Sequence, residues 1–167
     1  MARYTEERPV GDDDFNNDLY TMHEAISYNL CVLLAEEAEW EQAAQCYVDY
    51  VRDFPESEQV DKALYNAALD FEKIHEIGLA IQVRMHLLRM RPDSELAPDT
   101  LYNIGGNYKA WAIYGEASRF YEAFVNRFPD HENAEAALSN ASTFRHGLGQ
   151  YQEAIANYEK YLELFGR

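Results

Sequence analysis

The sequence predicts an all-α protein, a solenoid of four stacked helix-turn-helix units with a period of 37 residues. Three observations carry this expectation. Pro55, Pro92 and Pro129 stand one period apart. Asn29, Asn66, Asn103 and Asn140 form an unbroken series at the same step, and so do Ala43, Ala80, Ala117 and Ala154. Inside each period, apolar residues recur at spacings of three and four, as on one face of a helix.

The composition agrees. The chain has 167 residues, of which 47% are hydrophobic, enough for a buried core. Tyr (13) and Phe (8) are abundant, while Gly (8) and Pro (5) are few. That mixture favours helices packed through aromatic rings over a turn-rich β fold.

The period divides the chain into units 19–55, 56–92, 93–129 and 130–166. In the last unit Leu138, Ala141 and Phe144 mark a first helix. Tyr151, Ala154, Ile155, Tyr158, Leu162 and Phe165 mark a second. Gly147-Leu148-Gly149 lies between them and suits a tight turn. In the earlier units the proline ends the second helix, because it cannot donate to the helical ladder. Two further columns recur with one break each: Tyr28, Tyr65 and Tyr102 give way to Ser139, and Leu64, Leu101 and Leu138 are preceded by Ser27. Arg84 stands where the other units have Tyr47, Tyr121 and Tyr158, and Arg145 where they have Leu34, Phe71 and Tyr108. The second and fourth units are therefore expected to pack less well. Gly105-Gly106 reads as a close helix approach. Residues 1–18, with Pro9, Gly11 and the Asp12-Asp13-Asp14 run, fit no unit and read as an acidic, solvated tail.

The segment GLGQYQEAIANYEKYLELFG resembles the second half of a tetratricopeptide repeat, with glycine in the turn, then an aromatic, a small alanine and a second aromatic. AEWEQAAQCYVDYVRDFP and AIYGEASRFYEAFVNRFP resemble it in phase, so the likeness spans residues 19–166. It implies a right-handed superhelix whose first helices line a concave surface. The period is about three residues longer than the usual 34. The extra residues fall in segments such as ESEQVDK and DSELAPD and are expected to lengthen each first helix by nearly a turn. Long repeats of this type are similar to those of bacterial cell-envelope proteins, including outer-membrane assembly lipoproteins and motility-apparatus proteins of myxobacteria. The resemblance thus implies a bacterial cell-envelope or periplasmic setting, with the cytoplasm as the alternative.

The resemblance also implies a protein-binding scaffold. Its concave columns hold Tyr28, Tyr65 and Tyr102, then Asn29, Asn66, Asn103 and Asn140, and one helical turn on, Ala35, Glu72, Lys109 and His146. The chemistry of these residues points the same way. An Asn amide both donates and accepts, so it pairs with any peptide backbone. Tyr joins a flat apolar face to a hydroxyl and recurs at interfaces. A structural alternative stays open, in which these columns only fix the stacking of units. Relatives that clamp a C-terminal carboxylate place a basic residue near the Asn. Here Val32, Leu69, Gly106 and Thr143 fill the next column, so no such clamp is expected.

Other functions find no support. Acidic residues outnumber basic ones 30 to 14, for a net charge of −16, which repels nucleic acid and anionic membranes. No apolar run reaches the length of a membrane span, so no membrane insertion is expected. His23, His75, His86, His131 and His146 form no HExxH or zinc-spaced cluster, and no phosphate loop or catalytic triad is present. We therefore expect no cofactor, no metal and no enzyme activity. Cys31 and Cys46 sit at apolar helical positions and read as small buried residues. The alternative function is self-assembly, as a homo-oligomer or as part of a longer array. It would use the last helix, whose Ile155, Tyr158, Leu162 and Phe165 have no following unit to cover them.

Overall fold

In a computed structural model the described residues are 13–166, and they form eight helices in four antiparallel pairs. The pairs are α1 (Asp13–Glu36) with α2 (Trp40–Asp53), α3 (Val60–Lys73) with α4 (Ile77–Met90), α5 (Ala97–Ala110) with α6 (Tyr114–Arg127), and α7 (Ala134–Gly147) with α8 (Tyr151–Phe165). The main contacts run between consecutive helices only, as in a stacked array where each pair leans on its neighbours. The tail expected over 1–18 is corrected in part. Residues 13–18 belong to α1, where Phe15, Leu19, Met22, Ile26, Leu30 and Leu33 continue a helical three-and-four spacing. Residues 1–12 lie outside the described residues.

Each pair turns in the same way. Ala38, His75, Ala112 and Gly149, one period apart, all have positive φ, between 58° and 74°. In each turn this residue's N–H closes a bond three residues back, and the next N–H reaches five residues back. Glu39 N–H to Leu34 O (2.9 Å) and Gln150 N–H to Arg145 O (2.9 Å) are the first and last examples. The left-handed residue satisfies the last carbonyls of the first helix. Only the fourth unit supplies the glycine that this backbone favours.

The extra residues of the long period do not lengthen the first helices. α3, α5 and α7 each have 14 residues, and the added segment folds as a double turn. Ser57, Ser94 and His131, again one period apart, accept the backbone N–H two residues on, at 3.0, 3.1 and 3.2 Å. Such side-chain acceptors compete with helical bonding and hold the chain in a turn.

Two small residues per unit let the helices of a pair touch. One column is Ala43, Ala80, Ala117 and Ala154, all buried. The other is Cys31, Ala68, Gly105 and Ser142, also buried. In the first unit the small residue is bonded covalently: Cys31 forms a disulfide with Cys46 of α2, with the Cα atoms 5.3 Å apart. The reading of both cysteines as free buried residues is thereby corrected. Crossing helices bring the two positions within bridging distance, a proximity that the spacing of 15 residues does not reveal. In the third unit Gly105 lies under the ring of Tyr121. A Cβ there would stand 2.7 Å from Tyr121 Cε1, whereas one on Gly106 would meet only the hydroxyl at 3.9 Å.

The core is divided. Two large apolar clusters dominate: one links α1 to α4 through Cys31, Tyr47, Val51, Leu64 and Leu87, the other links α5 to α7 through Leu101, Tyr121, Phe124 and Leu138 with Tyr161 and Phe165 of α8 against it, and a small one joins Ala44, Ala68, Phe71 and Ala80. Gly105→Ala is predicted to destabilise the fold by about 1–3 kcal/mol, because the buried Tyr121 ring must shift. Gly106→Ala is predicted to be neutral or stabilising by up to about 1 kcal/mol through helix propensity. Denaturant melts of the two single variants check this, and equal losses would refute the packing account.

Candidate protein-binding interface

The first helices present the residues expected on a concave surface. Tyr28, Tyr65 and Tyr102 are half-buried, as are Asn66, Asn103 and Asn140, while Asn29 and Lys109 are exposed. The two columns also engage each other. The Asn66 amide donates to the Tyr28 hydroxyl of the preceding unit at 3.5 Å. Burial raises the Tyr28 hydroxyl, with the Asn66 bond opposing. Tyr65 is likewise raised, by burial first and then by the Asp99 charge. In this one pair the amide of a unit ties to the phenol of the unit before it. A shallow cavity of about 260 Å³ lies beside these columns, lined by Val32 and Ala35 of α1, Trp40 of α2, and Asn66, Leu69 and Lys73 of α3. Lys73 lies over the Trp40 ring, 3.5 Å from its centre, and bonds Asp70 at 2.9 Å.

The two arginines that break the aromatic pattern do not loosen their units. Arg84 is fully buried and grips Glu72 with both prongs, at 2.7 and 3.0 Å. It also donates to Asn107 Oδ1 at 2.5 Å, and the Asn107 amide returns to Glu72 at 2.5 Å. Arg145 repeats the arrangement: it grips Glu122 at 2.8 and 2.7 Å, and Asn157 donates to the same carboxylate at 2.8 Å. Each guanidinium thus has its carboxylate, and each carboxylate an additional amide, as buried charge requires. The expectation of poorer packing in the second and fourth units is corrected for this reason. Arg84 Nε alone keeps no partner. The Arg84–Asn107 bond crosses from α4 to α5, where the two apolar clusters separate. Glu72, expected to face a partner, is spent on this network. The arginines were visible in sequence as breaks in two columns. Their partners were not, because Glu72, Asn107, Glu122 and Asn157 share no column with them.

At the far end, Ile155, Tyr158 and Leu162 of α8 are exposed, Leu162 by 67%. Their counterparts in the earlier units, such as Ala44, Tyr47 and Val51, are buried under the next first helix. Phe165 differs from the expectation. It is half-buried, edge-to-face with Tyr161 (5.5 Å between ring centres) and packed on the second apolar cluster. α1 carries a matching uncovered stripe, in which Ile26 and Leu30 are exposed although Ala63, Ala67, Ala137 and Ala141 of the same columns are buried. No helix of the described residues is long and apolar enough to cross a membrane.

No protein-family model and no curated protein sequence matches the chain. Solved structures do. A crystal structure of MamA aligns over 84% of this chain and 77% of its own, with a TM-score of 0.60 and 18% identity. MamA from Desulfovibrio magneticus RS-1, residue 41 to the end, aligns over 85% and 75%, with a TM-score of 0.59 and 18% identity. Nearly identical TPR-like repeats from Podosopora anserina align over 84% and 74%, with a TM-score of 0.57 and 13% identity. At these identities the likeness is one of fold, and that fold is a tetratricopeptide-type helical repeat.

Burial pushes the Glu72 carboxyl up, but hydrogen bonds from Arg84 and Asn107 and the Arg84 charge outweigh it and hold it below the usual carboxylate range. Stability from this group is complete above the ordinary glutamate value, about 4.3, and is lost as pH falls through the lowered folded-state value. Glu72→Gln is predicted to cost about 2–4 kcal/mol at pH 7, because Arg84 stays buried without its counter-charge. The gap to the parent should narrow as pH falls from neutral to below the ordinary glutamate value of about 4.3. Urea melts across that range check it, and a gap independent of pH would count against the ion pair.

Proposed function

Starting from a tetratricopeptide-type solenoid, we propose that this protein is a scaffold that holds a peptide or helix of a partner protein along its first helices, within a larger assembly. The carrying observation is the cavity between α1 and α3. There an apolar floor of Val32 and Leu69 lies beside the Asn66 amide and the Lys73 ammonium. An extended peptide needs this combination: apolar contact for alternate side chains and a group that pairs with its backbone. Asn29, Asn66, Asn103, Asn140, Tyr28, Tyr65, Tyr102 and Lys109 are the proposed contact residues. The Asn66–Tyr28 bond is compatible with this role, since a buried phenol holds the amide in place and leaves its carbonyl oxygen for a peptide N–H. A net charge of −16 favours a neutral or basic partner.

A second reading is self-assembly through α8, favoured by the exposure of Ile155, Tyr158 and Leu162 in columns buried elsewhere. Leu162→Glu would then convert an oligomer to a monomer in light scattering. A parent chain already monomeric at high concentration would dispose of this reading.

The main reading predicts that peptides selected from a displayed random library bind the parent chain and bind Asn66→Ala/Leu69→Lys about tenfold more weakly, a loss near 1.4 kcal/mol. Far-UV circular dichroism should stay unchanged. Selected peptides that bind parent and variant alike would exclude the first-helix face.

A further inference from the structure

A cavity with an apolar floor lies away from the Asn and Tyr columns. It has a volume of about 810 Å³ and straddles α2, with Leu30 and Leu34 of α1 on one side and Phe71, Ile74 and Leu79 of α3–α4 on the other. That volume is in the range of ligand-sized clefts. Leu30 and Leu79 are exposed, by 52% and 39%, so the floor is apolar surface left in water. Its charged lining is of one sign: Glu41, Asp49, Asp53 and Glu76, with no Lys or Arg among the lining residues. Arg52 binds Asp49 and Asp53 from their outer flank, at 2.6 and 3.1 Å, and is itself 68% exposed. One exposed arginine against four carboxylates leaves the rim strongly negative, and such exposed pairs contribute little.

We propose that this groove docks a short amphipathic helix of a partner protein, with apolar residues on the Leu30–Leu34–Leu79 floor and Lys or Arg residues along the carboxylate rim. Charge complementarity selects this occupant. An apolar ridge at three-and-four spacing fills a groove of this kind, and basic side chains at its edges answer an all-acidic rim. A second copy of this chain is disfavoured there. The uncovered stripe of α8 is flanked by Glu153, Glu159 and Glu163, which would bring carboxylates against carboxylates. The cationic stretch must be short, because the neighbouring cavity between α2 and α4, about 500 Å³, is lined by Arg52, His86 and Arg89. This docking surface is independent of the first-helix reading. Asn66→Ala/Leu69→Lys leaves it intact, so the two can fail separately.

The test is fluorescence anisotropy with a labelled 12-residue Leu/Lys model helix and its Leu/Glu counterpart, on the full chain. The Leu/Lys helix is expected to bind one site and to weaken with added salt, while the Leu/Glu helix does not bind. Glu41→Lys/Glu76→Lys should weaken binding about tenfold, and Leu79→Asn by a similar factor. Asp130→Lys/Glu132→Lys makes the same change in net charge at a remote turn and should leave affinity within about twofold. All these positions are exposed, so folding is retained, and circular dichroism verifies it. Equal losses in the rim and remote variants would reduce the effect to bulk charge and overturn the proposal. Unchanged affinity in Leu79→Asn, tight binding of the Leu/Glu helix, or a parent dimer that dissociates in Leu79→Asn would overturn it too.

Discussion

The structure depends on how closely the two helices of a unit can approach. At each crossing one residue from either helix must be small, and these are the residues at Ala43, Ala80, Ala117 and Ala154 and at Cys31, Ala68, Gly105 and Ser142. With bulk removed there, the large side chains are pushed to the outer edges of the crossing. There they pack on their own partner helix, as Tyr28 does on Tyr47 and Tyr102 on Tyr121, and also reach the next unit. Stacking follows from this geometry, since a pair with its apolar residues on the outside must bury them against a neighbour. Tyr121 over Gly105 shows the limit of the approach, with no room left for a methyl group. The disulfide uses the same closeness in the first unit, between Cys31 of α1 and Cys46 of α2. Closing a loop of this size removes about 3 kcal/mol worth of unfolded-state freedom. Such bonds persist in oxidising surroundings.

Burial of two arginines follows from the same logic. A repeat built from aromatic packing has no natural place for a guanidinium. Arg84 and Arg145 are accommodated because each meets a carboxylate with a planar fork and an amide that completes it. The first of these networks sits where the apolar core thins between α4 and α5. A polar junction between two apolar halves fixes register through directional bonds, where apolar packing alone tolerates sliding. The junction also draws Glu72 inward and so changes the chemistry of the open face.

Several surfaces of the described residues are open, and they differ in kind. The first-helix face is partly satisfied within itself, Asn to Tyr. The stripes on α1 and α8 hold exposed apolar residues in columns that are buried in the other units. The groove across α2 is apolar with an acidic rim. A scaffold that offers several faces of distinct chemistry can hold more than one partner, and each face then selects by its own charge and shape.

While the left-handed turns at Ala38, His75 and Ala112 came from the structure, the sequence by itself determined the repeat, its period, four pairs of helices, the proline stops between units and the glycine turn of the last unit. All of these are local: a helix face, a turn or a blocked N–H is written within a few residues and is repeated four times. It also placed the Asn, Tyr and Ala columns correctly on equivalent helices. What it did not determine were the pairings across distance. The Cys31–Cys46 bond, the Arg84–Glu72–Asn107 and Arg145–Glu122–Asn157 networks, the inward turn of Phe165 and the acidic groove join residues from different columns, so periodicity carries no trace of them. The double turns at Ser57, Ser94 and His131 were periodic and still misread, because two serines and a histidine share no chemistry except an acceptor aimed at the N–H two residues on. Tertiary structure decided these features, since only the packed solenoid sets which side chains meet and which remain in water.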